Sequence, residues 1–204
     1  MATQRTPIVK RSRRLGITLG KEKYVRRRAY PPGVHGPKQA MSRSRLSSFG
    51  EQLKEKQKAK AIYGILERQF SNYFDKASRT GGNTAESLVR FLELRLDNAI
   101  YRLGWARTRR QARQIVGHGF IQVNGKRVDI PSFSVSIGDV ITIKPSKLEK
   151  GIVKKIPEAM NQSTLPSWIS RDEKAMTGKV TALPEGEDLK QDFDPTLIVE
   201  FYSR

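Results

Sequence analysis

Apolar side chains recur every three to four residues through the middle of the chain, which predicts amphipathic helices. A first helical region begins at the capping-box pattern of Ser48 and Glu51, in which each side chain can satisfy a free amide of the first turn. The region ends at Gly81-Gly82. Its periodic apolar positions are Leu53, Ile62, Leu66, Phe70 and Tyr73.

Two further capping boxes predict two more helices. Asn83 and Glu86 open one that continues to Gly104, with an apolar face made by Leu88, Leu92, Leu96, Ala99, Ile100 and Leu103. Thr108 and Gln111 open a helix of about nine residues. That helix ends at Gly117 or Gly119 and turns inward Ala112, Ile115 and Val116.

Short strands follow the third of these helices. Residues 120–123 and 126–128 flank Asn124-Gly125, the preferred dipeptide of a type I′ hairpin because both of its central positions need positive φ. Partial alternation of apolar and polar residues predicts two more strands, at 133–136 and at 140–143.

The two ends of the chain lack a sustained period. Residues 1–47 combine prolines with basic runs at 10–14 and 26–28, so this segment buries too little apolar surface to order itself. We expect an extended basic arm that folds against a partner, with a plain solubility tail as the alternative. Residues 147–192 are weakly patterned, whereas 197–202 are apolar enough that we expect them to pack on earlier elements.

The net charge extends the question from folding to binding. The chain carries +19 with a pI near 10.4, above the roughly pI 9 typical of nucleic-acid-binding domains. Residues 1–60 hold +14, residues 61–118 hold +5, and residues 119–204 are neutral. A polyanionic partner would relieve this self-repulsion. A membrane surface is the alternative, but we find neither a basic amphipathic helix with an apolar face nor an apolar run near the roughly 20 residues of a transmembrane span.

Catalytic and metal-binding patterns are weak. The chain has no cysteine, and its two histidines, His35 and His118, have no carboxylate or nucleophile signalled nearby. Gly119 and Gly125-Lys126 only approach a phosphate loop, because the spacing is wrong and Arg127 replaces the required Ser or Thr. The acidic run of 185–194 is typical of a solvated loop. We therefore expect no enzyme, no metal and no cofactor. The opening residues lack the apolar segment of a secretory signal, so an intracellular protein is expected.

The arginines of 107–113 form the strongest candidate binding feature. Arg109 and Arg113 are four residues apart and share a helix face, Arg110 stands beside them, and Arg107 precedes the helix. Past the hairpin turn, Lys126-Arg127 is expected to return to the same side. A solvated face balanced by acidic neighbours is the alternative, but residues 105–128 contain no Asp or Glu. Since a guanidinium can hold two phosphate oxygens at once, we expect this face to bind phosphates.

These residues resemble a known module. It is the S-four RNA-binding domain, which also occurs in some tRNA-charging and RNA-modifying enzymes. The matching residues are Glu93-Leu-Arg-Leu-Asp-Asn-Ala-Ile-Tyr-Arg102, Thr108-Arg109, Ala112-Arg113-Gln114, Val116, His118, Val123-Asn124-Gly125 and Ser136-Ile137-Gly138-Asp139.

The rest of the chain resembles the bacterial-type S-four family of ribosomal proteins over nearly its whole length. The motifs are Arg13-Arg14-x-Gly16, Pro32-Gly-Val-His-Gly36, Leu53-Lys-Glu-Lys-Gln-Lys58, Ile62-Tyr-Gly-Ile-Leu-Glu-Arg-Gln-Phe70, Gly82-Asn-Thr84 and Leu197-Ile-Val-Glu-Phe-Tyr202. This coverage leaves no room for a separate catalytic domain. An RNA-modifying or tRNA-charging enzyme is therefore the weaker alternative, and a regulator that represses its own messenger is compatible with a ribosomal role.

The resemblance implies an α+β fold: a mostly helical domain with an inserted small α/β S-four-type module and a basic N-terminal arm. The expected divisions are residues 1–47 for the arm, 48–93 for the first part of the helical domain, 94–157 for the module, and 158–204 for a C-terminal segment completing the helical domain.

The resemblance also implies partners. They are small-subunit ribosomal RNA, bound at a multi-helix junction to nucleate assembly, and the neighbouring ribosomal protein S-five, through which accuracy of decoding is influenced. Other small-subunit proteins and messenger RNA are expected as well, with no membrane and no homo-oligomer. The location is a small ribosomal subunit in the cytoplasm, an organellar ribosome being compatible too. The metal-binding cysteine cluster of some members is absent, so no zinc is expected.

Candidate site residues follow from the charge pattern together with the resemblance. Lys38, Arg43 and Arg45 stand where the family faces the tunnel through which messenger RNA enters, although residues 37–44 form a longer segment than the family has. Arg107 and Arg110 are additions to the family motif. The residues expected to contact RNA are Arg13, Arg14, Arg26, Arg27, Arg28, Lys54, Lys56, Lys58, Arg107, Arg109, Arg110, Arg113, His118, Lys126 and Arg127.

Overall fold

A computed structural model describes residues 6–41, 46–154, 156–160, 164–172 and 175–203. Its helices are α1 (Ile8–Leu15), α2 (Glu22–Arg26), α3 (Gly36–Met41), α4 (Ser48–Tyr63), α5 (Glu67–Arg79), α6 (Thr84–Glu93), α7 (Leu96–Arg102), α8 (Arg109–Gly117), α9 (Gly151–Lys154), α10 (Ile156–Met160) and α11 (Pro195–Tyr202). Its strands are β1 (Ile121–Val123), β2 (Lys126–Arg127), β3 (Val140–Ile143), β4 (Ile169–Asp172) and β5 (Thr177–Val180). The α+β class expected from the sequence is confirmed. Within these described ranges, no helix is both long and apolar enough to cross a bilayer.

The chain divides into two compact units, which we call the helical unit (Met1–Leu88 with Gln191–Arg204) and the sheet unit (Val89–Lys190). This division differs from the predicted one for residues 89–93 and 158–190, which belong to the sheet unit. For residues 158–190 the physical reason is that β5 pairs with β3, and β4 pairs with β5. Sequence patterning missed both strands because their residues show little alternation of apolar and polar side chains.

In the helical unit, the first predicted helix is two helices. Gly64 adopts φ +66° and its amide donates to the carbonyl of Lys60, which ends α4 before α5 begins. The N-cap of α4 is Ser47, one residue earlier than predicted, and its hydroxyl accepts from the Gly50 amide at 3.2 Å. A glycine in the left-handed region ends a helix even where the apolar period runs on.

The apolar C-terminal run packs on an earlier element, as expected, since α11 lies against α4. The Gln52 amide donates to Glu200 at 2.8 Å, and the backbone amide of Asp194 donates to Glu55 at 3.0 Å. The rings of Phe49 and Phe201 stand 5.5 Å apart between their centroids. Residues about 140 positions apart in sequence are thus joined by packing and hydrogen bonds.

The expectation of an extended N-terminal arm is wrong for the described residues, which contain three short helices. Helix α1 buries Ser12 and Leu15 and packs against α4. The guanidinium of Arg13 donates to the carbonyl oxygens of Tyr30 and Pro31 at 2.9 and 3.3 Å and lies 4.8 Å from the Tyr30 ring centroid. Contacts between distant segments order this region, and a local periodicity search does not detect them.

The sheet unit is built on an antiparallel sheet with strand order β2-β1-β3-β5-β4. Helices α7 and α8 pack on each other, and their buried faces join the inward side chains of the sheet in one core. That core contains two fully buried tryptophans, Trp105 and Trp168. Gly178 of β5 is packed against Leu103 with no space for a side chain, because a Cβ there would lie 2.6 Å from the Leu103 methyl carbons.

The predicted helix from Asn83 to Gly104 is interrupted between α6 and α7. The amides of Leu96 and Asp97 donate to the carbonyls of Phe133 and Pro131 at 2.8 and 3.1 Å. These bonds replace helical ones, and Arg95 forms an isolated bridge with Ser134. The strand predicted at 133–136 is therefore reduced to this single bridge.

The type I′ hairpin is confirmed, with φ of 51° at Asn124 and 76° at Gly125 and Val123 paired to Lys126. Asn124 also joins the turn to β3. Its side-chain amide donates to Asp139 at 2.8 Å, and its side-chain oxygen accepts from the Val140 amide at 2.9 Å. The hairpin is thus held against the neighbouring strand by side-chain hydrogen bonds that the dipeptide signal alone does not predict.

Candidate nucleic-acid interface

Helix α8 presents a buried face and an exposed face. The Thr108 hydroxyl accepts from the Gln111 amide at 3.2 Å, and the Gln111 side chain accepts from the Arg107 amide at 3.0 Å, so the predicted start is confirmed. The face toward the sheet consists of Ala112, Ile115 and Val116. On the opposite face, spacings of four residues align three exposed side chains, Arg110, Gln114 and His118. We call these three, with the exposed Arg107 just before the helix, the outer row.

The β2 strand adjoins the end of the outer row. Lys126 and Arg127 are both exposed. The guanidinium of Arg127 lies directly on Gly119, since a Cβ at that glycine would come within 2.6 Å of the Arg127 Nε. The same guanidinium contacts Asp129 at 3.1 Å. Arg127 is thus held next to His118, as the expected return of the hairpin toward the helix requires.

Arg109, one of the two family-motif arginines, lies inside the fold. Its side chain is 20% exposed and approaches Glu93 at 3.9 Å. Its Nε donates to Asn98 at 2.8 Å, and its guanidinium carbon stands 4.5 Å from the Tyr101 ring centroid. Tyr101 and Asn98 belong to α7, so Arg109 ties α8 to that helix.

Arg113, the other motif arginine, is 15% exposed and approaches Asp97 at 3.7 Å. The Asp97 carboxylate also receives the Arg95 guanidinium in a fork, at 3.0 and 2.7 Å. Two cations therefore flank one buried carboxylate.

Glu93 has the same arrangement. Its side chain is fully buried and accepts from Arg102 at 2.8 and 3.0 Å and from the Asn98 amide at 2.9 Å. We call Glu93 and Asp97 the carboxylate pair.

The carboxylate pair supplies acidic partners to Arg109 and Arg113 from outside their own segment. The absence of Asp and Glu in residues 105–128 argues against a solvated face balanced by acidic neighbours, but Arg109 and Arg113 find acidic partners at residues 93 and 97. The helix α8 is adjacent to α7 in space, so its neighbours cannot be read from its own segment. A buried carboxylate needs paired and hydrogen-bonded cations to offset its desolvation, and the motif arginines contribute to this.

Three lysines of α4, at positions 56, 58 and 60, pair with carboxylates. Lys56 is 6% exposed, with its Nζ 2.9 Å from Glu67 and 4.0 Å from the Phe201 ring centroid. Lys58 pairs with Glu55 at 2.6 Å, and Lys54 is half-buried. Lys56 is therefore held inside the fold by Glu67 and Phe201 and is not a mobile surface cation.

Glu67 is the centre of this second ionic cluster. It accepts from Lys60 at 2.5 Å, from Lys56 at 2.9 Å and from the Tyr202 hydroxyl at 2.8 Å. Partial burial by itself would raise the pKa of Glu67, but the hydrogen bonds from Lys60, Lys56 and Tyr202 outweigh it and lower the pKa to about 2. Burial, and then the hydrogen bond to Glu67, raise the pKa of Tyr202. Lys60 was not among the candidate residues, and its role depends on a contact that sequence cannot show.

The remaining candidates lie in the N-terminal region. Arg14, Arg27 and Arg28 are exposed, as is Lys38 on α3. Arg26 forms an ion pair with Glu22. Arg13 is half-buried and binds backbone carbonyls, as described above. The two expected tunnel residues Arg43 and Arg45 lie outside the described residues.

Metal-binding geometry is not found in the described part of the chain, where no three His, Asp or Glu side chains cluster closely enough to hold an ion. The acidic run near 185 has other contacts. Glu185 approaches Arg90 at 3.6 Å, Glu187 pairs with Lys190 at 2.5 Å, and Asp188 accepts from the Ser167 hydroxyl at 2.5 Å.

Comparison with protein families gives two matches that together cover residues 4–141. The ribosomal protein S4/S9 N-terminal domain matches residues 4–93, and the S4 domain matches residues 94–141.

Full-length relatives are similar as well. The chain is 51% identical over 178 residues to small ribosomal subunit protein uS4 of Thermodesulfovibrio yellowstonii, covering 87% of this chain and 84% of that protein. It is 45% identical over 208 residues to uS4 of Chloroflexus aurantiacus and 46% identical over 205 residues to uS4 of Listeria monocytogenes, each covering 100% of both chains.

Proposed function

Because the chain belongs to the uS4 family of small ribosomal subunit proteins, we propose that it nucleates assembly of the subunit body by binding a multi-helix junction of ribosomal RNA. The family is structural and non-enzymatic, and its members are constituents of the small subunit that bind its RNA. The proposal adds the target, a junction in the 5′ domain, and the role of this contact early in assembly.

The observation that carries the proposal is the outer row with its continuation into β2. Arg107, Arg110, Lys126 and Arg127 are exposed cations, and His118 and Gln114 add hydrogen-bonding groups between them. Phosphate oxygens are the ligands that such a surface binds best. A helix face and a hairpin of this size fit the backbone contour of folded RNA, so the contact reads shape more than base sequence.

In the proposed mechanism, the exposed arginines of the outer row and the two inner arginines, Arg109 and Arg113, have different roles. The outer row contacts phosphates, whereas Arg109 and Arg113 position α8 through the carboxylate pair. Buried ion pairs of this kind fix orientation more than they add net stability. The helix therefore meets RNA in one orientation, which lowers the entropy lost on binding.

The helical unit supplies a second RNA-binding surface in this proposal. Its exposed cations include Arg14, Arg27 and Arg28, with Lys54 half-buried on α4. Lys56 and Lys58 act mainly by holding the fold, given their pairing with Glu67 and Glu55.

Two finer parts of the proposal depend on the resemblance to the family. The C-terminal region contacts the neighbouring ribosomal protein S-five and thereby influences the accuracy of decoding. Lys38, with Arg43 and Arg45, faces messenger RNA as it enters the subunit. The protein acts in cytoplasmic ribosomes, and repression of its own messenger is compatible with this role.

Footprinting on naked small-subunit ribosomal RNA tests the assembly role. The full chain should protect nucleotides concentrated at one multi-helix junction. Protection scattered over unrelated helices would reject nucleation at a junction.

Salt titration of the same complex tests the phosphate contacts. If about eight phosphates are neutralised, log K should fall with log[salt] with a slope of roughly −6 to −7. A slope shallower than about −2 would reject the electrostatic mechanism.

A further inference from the structure

Helix α2 carries an exposed aromatic ring among cations. Tyr24 is 59% exposed, and its side chain makes no hydrogen bond or ring contact with any described residue. The other tyrosine of this region, Tyr30, is half-buried beneath the Arg13 guanidinium. The fold thus uses Tyr30 internally and leaves the ring of Tyr24 presented to solvent.

Three exposed cations flank Tyr24. Arg27 and Arg28 follow α2 in the turn that continues from it, three and four residues after Tyr24, and at 100° per residue they fall within about 60° of it. Lys21 directly precedes α2 as its N-cap and is exposed next to the start of the helix. The amides of Arg27 and Arg28 donate to the carbonyls of Lys23 and Val25, both at 3.3 Å, so the turn continues through them.

The single acidic residue of α2 lies on the opposite side. Glu22 pairs with Arg26, and both stand about 160° from Tyr24 by the same helical geometry. Val25 is half-buried, and α2 packs against α1. The side of α2 that carries Tyr24 therefore combines an aromatic ring with Arg27 and Arg28, has Lys21 next to its start, and does not carry Glu22.

The backbone holds this side in place. The Lys21 carbonyl accepts from the amides of Tyr24 and Val25 at 2.9 and 3.3 Å, and Lys21 itself has φ of 52°. A lysine rarely adopts this left-handed conformation, so surrounding structure has to stabilise it. The Tyr24 ring is consequently attached to an ordered turn.

We propose that Tyr24 is a stacking platform for an unpaired base of ribosomal RNA, with Lys21, Arg27 and Arg28 holding the phosphates on either side of that base. Unpaired bases expose both faces and stack on aromatic side chains, whereas paired bases inside a helix do not. Three cations around the ring favour a polyanion over an uncharged protein surface. This inference depends on the proposed RNA-binding function and names one contact within it.

The test measures how tightly four Tyr24 variants of the full chain bind a transcript of small-subunit ribosomal RNA. Tyr24→Ala and Tyr24→Leu should weaken binding by about 5- to 100-fold, the usual range for loss of one stacked base. Tyr24→Phe and Tyr24→Trp should stay within about twofold of the unsubstituted chain, because both keep a π-face. Val34→Ala is the control, since Val34 is 92% exposed in the same region and should leave affinity unchanged.

Two further readouts separate stacking from a general apolar or ionic contact. Chemical probing should find one unpaired nucleotide protected by the unsubstituted chain and by Tyr24→Phe, and reactive with Tyr24→Ala and Tyr24→Leu. The salt slope should be the same for all four variants, because no phosphate contact is removed.

Several outcomes would overturn the inference while leaving the proposed function intact. One is that Tyr24→Ala binds the RNA with unchanged affinity, while the unsubstituted chain protects a junction in the same RNA. Another is full retention of binding by Tyr24→Leu, since leucine is apolar but cannot stack. A third is normal RNA binding by all variants combined with failed incorporation of Tyr24→Ala into subunits, which would assign the ring to a protein partner. If the unsubstituted chain protects no junction at all, the proposed function itself is rejected.

Discussion

Two double variants should distinguish arginines that contact RNA from arginines that position α8. We call Arg109 and Arg113 the inner pair, and Arg107 and Arg110 the outer pair. One variant carries Arg109→Ala with Arg113→Ala, and the other carries Arg107→Ala with Arg110→Ala. Both remove two positive charges from the same nine-residue helix and the turn before it. Any difference between them therefore reports where the guanidinium groups lie, because the change in net charge is the same.

The inner pair should affect folding first. Glu93 is fully buried and Asp97 nearly so, and each would lose one of its cations. Removing the only partner of a buried charge costs about 3–5 kcal/mol. Here Arg102 and Arg95 stay in place, and the lost pairs are long, at 3.9 and 3.7 Å. We expect a loss of about 1–2 kcal/mol per arginine in the free energy of unfolding, or about 2–4 kcal/mol for the double variant. At about 5 °C per kcal/mol for a unit of this size, the double variant should lose roughly 10–20 °C in Tm.

The outer pair should affect binding first. Arg107 and Arg110 are exposed, so their removal should change the free energy of unfolding by less than about 0.5 kcal/mol. Each phosphate contact contributes about 1 kcal/mol to binding at 0.1 M salt through counterion release, so the double variant should bind about 30-fold more weakly. The salt slope should become shallower by about 1.4–1.8.

The assay is filter binding of the full chain to small-subunit ribosomal RNA over a range of KCl concentrations, alongside thermal unfolding followed by circular dichroism. For the inner pair, affinity should fall with little change in the salt slope, and Arg109→Lys with Arg113→Lys should recover part of the lost Tm because the charges return. The reasoning would be refuted if the inner pair flattened the salt slope by about 1.5 at unchanged Tm. That result would mean the motif arginines leave their carboxylates to bind phosphates.

Two further substitutions test the packing of each unit. Glu67→Gln should make the free energy of unfolding of the helical unit less dependent on pH in acid. The Glu67 carboxylate has a folded pKa of about 2, against 4.5 ordinarily, so it stabilises the fold above about pH 4.5 and loses that contribution as the pH falls toward 2. Because Glu67 is about half exposed, we expect only about 1–2 kcal/mol from its contacts with Lys56 and Lys60, measured by urea unfolding between pH 2 and 7, and an unaltered pH profile would contradict this. Gly178→Ala should cost about 1–3 kcal/mol by overpacking against Leu103, and Leu103→Ala should relieve that cost in a double-mutant cycle; additive losses would show that the two sites do not touch.

Local signals predicted local structure well. The Thr108 cap, the nine-residue α8 and the Asn124-Gly125 hairpin are present as expected. Each depends on residues within a few positions of one another, where side-chain chemistry and φ preference decide the conformation. The family resemblance and the α+β class are likewise confirmed.

The errors arise where distant segments meet. The break between α6 and α7 depends on the carbonyls of Phe133 and Pro131, more than thirty residues away. Strands β4 and β5 exist because β3 offers β5 an edge with which to pair, and their own sequence carries little alternation. The helices of the N-terminal region depend on contacts such as that of Arg13 with Tyr30. None of these partners is visible in a sequence window.

In the candidate site, too, the sequence gives the number of cations, but contacts between distant segments decide which of them are exposed. Counting charges along the chain identifies a polyanion-binding protein, but it does not identify which cations face the polyanion. Arg109, Arg113 and Lys56 contact buried or half-buried carboxylates, whereas Arg107 and Arg110 are exposed. Only cations that approach phosphates displace counterions from the RNA, so a salt slope counts the exposed set and is insensitive to the inner one. The salt slope should therefore detect removal of Arg107, just before α8, and of Arg110 on α8, the two arginines that depart from the family motif. Thermal unfolding should detect removal of Arg109 and Arg113, the two that match it.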